Sequence, residues 1–185
     1  MIRPAEPRDA EAIAAIHNEG IAERVATFET EPRTAGDVRP WIGAALPLLV
    51  AEEDGRVLGW AKLGEYSDRC AYAGVAEVSV YVGRQGRGRG TGGALVDAIC
   101  AAAEERGIWK LVALVFPENE PSLRLFARCG FREVGTFRRH GRLDGAWRDV
   151  VILERSLGEA SEPRSGGGAP AGSRPSPHPP PTPRA

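Results

Sequence analysis

Between Val75 and Gly107 the chain reads VAEVSVYVGRQGRGRGTGGALVDAICAAAEERG, and the residue types that can hold an anion are concentrated there. Gly86, Gly88, Gly90, Gly92 and Gly93 separate an apolar strand from a helix, with Arg84, Arg87 and Arg89 interleaved. Residues without Cβ let the backbone turn tightly and approach a ligand. The helix mouth near Gly90 adds unpaired N–H groups and the positive end of a helix dipole. A pyrophosphate fits that combination. Gly88-x-Gly90-x-x-Gly93 formally satisfies a dinucleotide fingerprint, with Glu118 as a downstream acid. That fold places its turn after the first strand, whereas here about half a domain comes first. A Walker-type loop is excluded, because no lysine and hydroxyl residue follow the glycines. Glu77 is the sole carboxylate inside the preceding strand, an unusual place for a solvated charge.

The periodicity around this loop predicts the order β-α-α-β-β-β-α-β-α-β-β. Strands are expected at Ile2 to Pro4, Leu48 to Glu52, Val57 to Tyr66, Val75 to Val82 and Leu111 to Phe116, with a closing pair at Arg132 to Leu143 and Trp147 to Leu157. Asp54-Gly55 and Asp144-Gly145 read as hairpin turns. Asp9 is expected to cap a helix carrying Ile13, Ile16, Ile21 and Val25, and Thr34 to start a second with Val38, Trp41 and Ile42. Ala94, Leu95, Ala98 and Ile99 give the helix after the loop its buried face, and a last helix runs from about Glu120 to Cys129. This is a mixed α/β domain spanning residues 1–157. From residue 158 to 185 little remains to bury, and the Pro, Gly and Ser content predicts a disordered tail.

The net charge of −1 balances 22 Arg and two Lys against 25 acids, so no nucleic-acid or membrane partner is indicated. Cys70, Cys100 and Cys129 have no paired spacing, and no stretch resembles a targeting peptide or a membrane span. A reduced, cytoplasmic protein is expected. His17, His140 and His178 show no metal-ligand spacing, so no metal is expected.

Read as Gln85-x-x-Gly88-x-Gly90, the loop resembles the acyl-CoA loop of the GNAT N-acetyltransferases, and the element order matches that family along the whole domain. The run Asn119-Glu120-Pro121-Ser122-Leu123-Arg124-Leu125-Phe126-Ala127-Arg128-Cys129-Gly130-Phe131 is similar to the family's helix after the fifth strand. The resemblance implies a central sheet whose fourth and fifth strands splay apart to admit the pantetheine arm of acetyl-CoA. It implies cofactor contacts from the main chain of Val80, Tyr81 and Val82, from Arg87, Gly88, Arg89, Gly90, Thr91, Gly92 and Gly93, and from Asn119. Glu77 is then the expected base for the substrate ammonium, since a protonated amine cannot attack a thioester. The tyrosine that serves as general acid in many relatives is replaced by Phe126, leaving that role unassigned.

Four further segments look like the phosphinothricin acetyltransferase group, closest to its arsinothricin-resistance branch: Ile16 to Ile21, Ala26 to Thr34, Tyr66 to Glu77, and Asp144-Gly145-x-Trp147-Arg148-Asp149-Val150. This resemblance implies acetylation of the α-amino group of a toxic glutamate-like amino acid, with Arg69 and Tyr72 on its acidic end, Phe28 lining the pocket, and a homodimer. Asp144 stands where phosphinothricin-specific relatives tend to carry His, which sets phosphinothricin itself apart. Methionine sulfoximine or sulfone, a peptide N-terminus, or acyl-CoA sensing without turnover are the alternatives.

Overall fold

Period-two alternation of apolar residues produces seven strands that join into one sheet, and two 14-residue helices with matching apolar stripes cover its faces. The computed structural model describes residues 1–161. In chain order these are β1 (Ile2–Pro4), α1 (Ala10–Glu23), α2 (Ala35–Val38), β2 (Leu48–Glu53), β3 (Arg56–Glu65), β4 (Val75–Val82), α3 (Thr91–Glu104), β5 (Lys110–Val115), α4 (Glu120–Arg128), β6 (Arg132–Leu143) and β7 (Ala146–Ser156). Gly158–Ser161 adds one short helical turn, and the rest of the expected tail lies outside the described residues.

The expected element order holds throughout; most boundaries move by one or two residues, but the second helix, expected to reach Trp41 and Ile42, ends at Val38. Sheet order is β1-β2-β3-β4-β5-β7-β6, antiparallel everywhere except between β4 and β5. That parallel pair closes only over Val75–Lys110, Ala76–Leu111 and Glu77–Val112, and beyond Glu77 the two strands part. The closed end is pinned by the Gly74 carbonyl, which accepts from the amides of Trp109 (2.8 Å) and Lys110 (3.1 Å).

Leu95, Val96 and Ile99 of α3 are fully buried against Ala76, Val78, Leu111 and Ala113 on one face of the sheet. Each contributes about 1.5–3 kcal/mol by leaving water. On the other face, Ile13 and Ile16 of α1 pack with Val50 and Trp60. Helix α1 stops at Arg24, whose φ of 58° is left-handed, so Val25 falls outside it. Asp9 precedes α1 but does not cap it with its side chain. Its carboxylate accepts from the Glu6 amide (2.8 Å) and from Arg3 (2.7 and 2.9 Å), closing the preceding turn instead. Thr34 does cap α2, in a reciprocal box with Asp37, and Pro40 then confines the helix to a single turn.

Candidate active site

The parting of β4 and β5 opens a cleft of about 790 Å³. Its walls include Glu77 to Val82 of β4, Leu114 and Val115 of β5 with Phe116 after it, Gly86 to Gly88 and Gly90 to Gly93 of the loop and first turn of α3, Asn119, Pro121, Ser122 and Leu125 around α4, and Ile16, Gly20 and Glu23 of α1.

The main chain of β4 faces this opening with a definite polarity. Gly83 donates to the Leu58 carbonyl at 2.9 Å, so pairs such as Leu58–Gly83 and Trp60–Tyr81 bond to each other across β3 and β4. The alternate residues, Val78, Val80 and Val82, therefore turn their N–H and C=O groups toward β5, where pairing has ceased. Past the strand, Gly88 (φ 72°) and Gly90 (φ 82°) adopt left-handed backbone, and a Cβ built on either would meet nothing within 4 Å. The first bond of α3 runs from Ala94 to the Gly90 carbonyl (3.1 Å), leaving the first-turn amides as donors at the cleft. A row of bare main-chain donors beside open space suits a diphosphate.

The arginines of the loop are engaged elsewhere. Arg87 pairs with both oxygens of Glu23 (3.0 Å each) and donates from Nε to the Val82 carbonyl (3.0 Å). Arg84 adds a 3.3 Å contact to Glu23, whose carboxyl is held low chiefly by the bond from Arg87. Arg89 turns out of the cleft to Glu53 at 2.6 Å. Asn119 lines the cleft and accepts from the Ser122 amide at 3.2 Å through Oδ1, so it caps α4 while facing the opening. Arg128, one turn beyond Arg124, also lines the cleft and has no carboxylate partner among the described residues; its (i, i+4) spacing from Arg124 was the available signal.

Odd residues of β4 point to the α1 face. Glu77 is half-buried at the apex of the fork, and its carboxylate has no hydrogen bond within the described residues; burial raises its pKa, opposed by Lys62. Tyr81 stacks on its register partner Trp60 (4.5 Å, 14°) and donates to the Ala26 carbonyl (3.3 Å), and burial pushes its phenol up to about 12. His17 sits among Trp41, Trp60 and Tyr81 with Nε2 3.2 Å from Glu29. Burial pulls its pKa down, opposed by Glu29. Phe126 is buried edge-on against Phe131, so the position of the missing tyrosine carries no acid.

The expected acceptor residues are spread more widely. Phe28 packs edge-on against Phe116 (4.7 Å) and over Gly141, where a Cβ would come within 2.7 Å of its ring. It thus backs the wall residue Phe116 without lining the cleft itself. Arg69 and Tyr72 lie on the exposed β3–β4 loop, with the guanidinium 5.7 Å from the Tyr72 ring centroid, outside the cleft walls. Asp144 pairs with Arg24 at 3.1 Å, tying the β6–β7 turn to the segment after α1. Three or more His, Cys, Asp or Glu do not cluster among the described residues, and no described helix is long and apolar enough to cross a membrane.

Residues 13–131 match the acetyltransferase (GNAT) family. The chain belongs to this family. Among its GNAT relatives, YwnH of Bacillus subtilis strain 168 is 41% identical over 160 residues, covering 84% of this chain and 98% of the relative. The phosphinothricin N-acetyltransferase of Streptomyces coelicolor is 34% identical, covering 85% and 96%. The L-methionine sulfoximine/L-methionine sulfone acetyltransferase of Pseudomonas paraeruginosa is 31% identical, covering 84% and 94%. A phosphinothricin acetyltransferase of Sinorhizobium meliloti, solved in complex with acetyl-CoA, superimposes with a TM-score of 0.80 at 28% identity over 90% of this chain and 94% of its own.

Proposed function

We propose that this GNAT protein transfers acetyl from acetyl-CoA to the α-amino group of a small glutamate-like amino acid of the phosphinothricin or arsinothricin type, in the cytoplasm, and so detoxifies it. The carrying observation is the fork at Glu77. There, unpaired main-chain groups, an open diphosphate cradle and a half-buried carboxylate with no hydrogen-bond donor meet in one cleft.

Acetyl-CoA fits the residues present. Gly88, Gly90, Thr91, Gly92 and Gly93 would hold its diphosphate through their amides, with Arg87 and Asn119 beside them and Arg89 reaching it only by leaving Glu53, and Val80, Tyr81 and Val82 would border its pantetheine arm. When bound, the cofactor supplies an activated acyl carbonyl. Glu77 accepts a proton from the acceptor ammonium, directly or through water, and the freed lone pair attacks that carbonyl. A C–N bond would form as the C–S bond breaks, and the second proton of the nitrogen would pass to the departing thiolate, directly or through water, leaving the amide and the free thiol. Burial moves the Glu77 pKa toward working pH, which suits a general base.

Phe28 would wall the acceptor side. Arg69 and Tyr72 would reach the acceptor's acidic end from the loop beside the fork, within a homodimer whose subunits close each other's sites; their exposure in a single chain supports that arrangement. Relatives named for phosphinothricin and for methionine sulfoximine support an amino-acid analogue as acceptor. A thiol-release assay with acetyl-CoA over arsinothricin, phosphinothricin, methionine sulfoximine and glutamate tests the reading. Turnover with at least one toxic analogue, faster than with glutamate, is expected; release with none of the four overturns it.

A further inference from the structure

Lys62 is one of two lysines among 24 basic residues. Across β3 and β4 it faces Ser79, while Gly64 faces Glu77, so Lys62 and Glu77 are diagonal neighbours on the α1 face of the sheet. The Lys62 ammonium is half-buried, 4.5 Å from the Trp41 ring centroid, and has no carboxylate within ion-pair distance among the described residues. The cation that acts on it, Arg33, is itself matched. Arg33 holds Glu29 at 2.7 and 2.9 Å.

Glu77 is unmatched in the same way, and the two charges stand too far apart to pair with each other. The sheet is bare at the register partner of Glu77, two residues along β3 from Lys62: a Cβ on Gly64 would meet nothing nearer than the Glu77 carbonyl at 4.0 Å. Half-buried charges without partners are costly unless something supplies the complement. An α-amino acid supplies both, because its ammonium and carboxylate sit on one carbon.

We propose that Lys62 is a specificity-determining residue that binds the α-carboxylate of the acceptor, turning the amine of the same molecule toward Glu77. The inference rests on the acetyltransferase reading above. Trp41 has a part in it: the ring confines the ammonium without neutralising it, so a charge-assisted bond to a carboxylate is still available. The competing role, in which Lys62 merely tunes Glu77, would affect every amine equally. Carboxylate binding affects only acceptors that carry one.

The test compares Lys62→Met, which keeps the apolar stem against Trp41, with the unsubstituted protein. Acceptors are phosphinothricin or methionine sulfoximine, whichever is acetylated faster, and the α-carboxamide of the same compound. Lys62→Met is expected to raise KM for the amino acid roughly 10- to 100-fold and to leave KM for the carboxamide and for acetyl-CoA within about 3-fold. Lys62→Arg should restore the preference for the carboxylate. Equal losses with both acceptors would overturn the assignment while leaving the acetyltransferase reading intact. Failure of the unsubstituted protein to acetylate any amino acid would overturn both.

Discussion

The two halves of the cleft are made of different material. Toward α3 it is main chain: the N–H and C=O of Val80 and the N–H of Val82, left-handed Gly88 and Gly90, and the first-turn amides of α3. Toward α1 it is side chain: Glu77 and Tyr81 line it from β4, while Lys62, the diagonal neighbour of Glu77 on β3, and Phe28, packed on the wall residue Phe116, support it from outside the walls. Backbone recognises what is common to a class of ligand, here a diphosphate and an amide-bearing arm. Side chains recognise what differs between acceptors. The halves meet at Glu77, where the strands part.

If that division holds, substitutions in one half leave the other's ligand untouched. Glu77→Gln should show it most strongly. The isosteric amide removes the base without opening a cavity, so kcat is expected to fall by roughly 10²-fold or more, while acetyl-CoA affinity by calorimetry stays unchanged. The pH profile sharpens this. Glu77 must be ionised to take a proton, and burial raises its pKa, so kcat/KM should fall as pH drops through a value above the usual 4.5 for glutamate. That acid limb should be absent in Glu77→Gln. Its persistence would assign the limb to another group.

Gly90→Ala probes the opposite half with a smaller effect. At φ 82° a side chain costs about 1–2 kcal/mol of backbone strain, and the new methyl would project into space where no protein atom lies within 4 Å. Acetyl-CoA should bind roughly 10-fold more weakly with acceptor KM unchanged. Gly43→Ala is the control, since φ there is 79° and the surroundings are equally open, yet the residue lies outside the cleft walls. Equal weakening in both variants would reduce the effect to strain alone.

The same division explains what the sequence made legible. Glycine spacing, an apolar strand and a helix start are local, so the loop, α3 and the Asp144-Gly145 turn, with φ 49° and 79°, could be read directly. Glu77 stood out as a lone acid in an apolar strand. Lys62 did not, because its meaning depends on the β3–β4 register and on Trp41, both products of long-range pairing. Arg89 was read as loop charge, but its partner Glu53 lies 36 residues away, and only the folded β2–β3 hairpin brings them together. Asp9 was read as a cap because capping is local, and its true partner, Arg3, comes from a neighbouring strand.

Arg69 tests whether the acceptor half is complete in one chain. Its guanidinium is exposed and meets only the Tyr72 ring among the described residues, so a contact to an acceptor's acidic end would be screened by water. Arg69→Ala should therefore raise acceptor KM by only about 3- to 10-fold, with acetyl-CoA affinity unchanged. Sedimentation should show a dimer for both proteins, since the contact is to ligand. An unaltered acceptor KM would remove Arg69 from the pocket and leave recognition of the acidic end to residues of the cleft itself. A monomer that acetylates at full rate would show that one chain suffices, and the side-chain half of the cleft would then need no help from a second subunit.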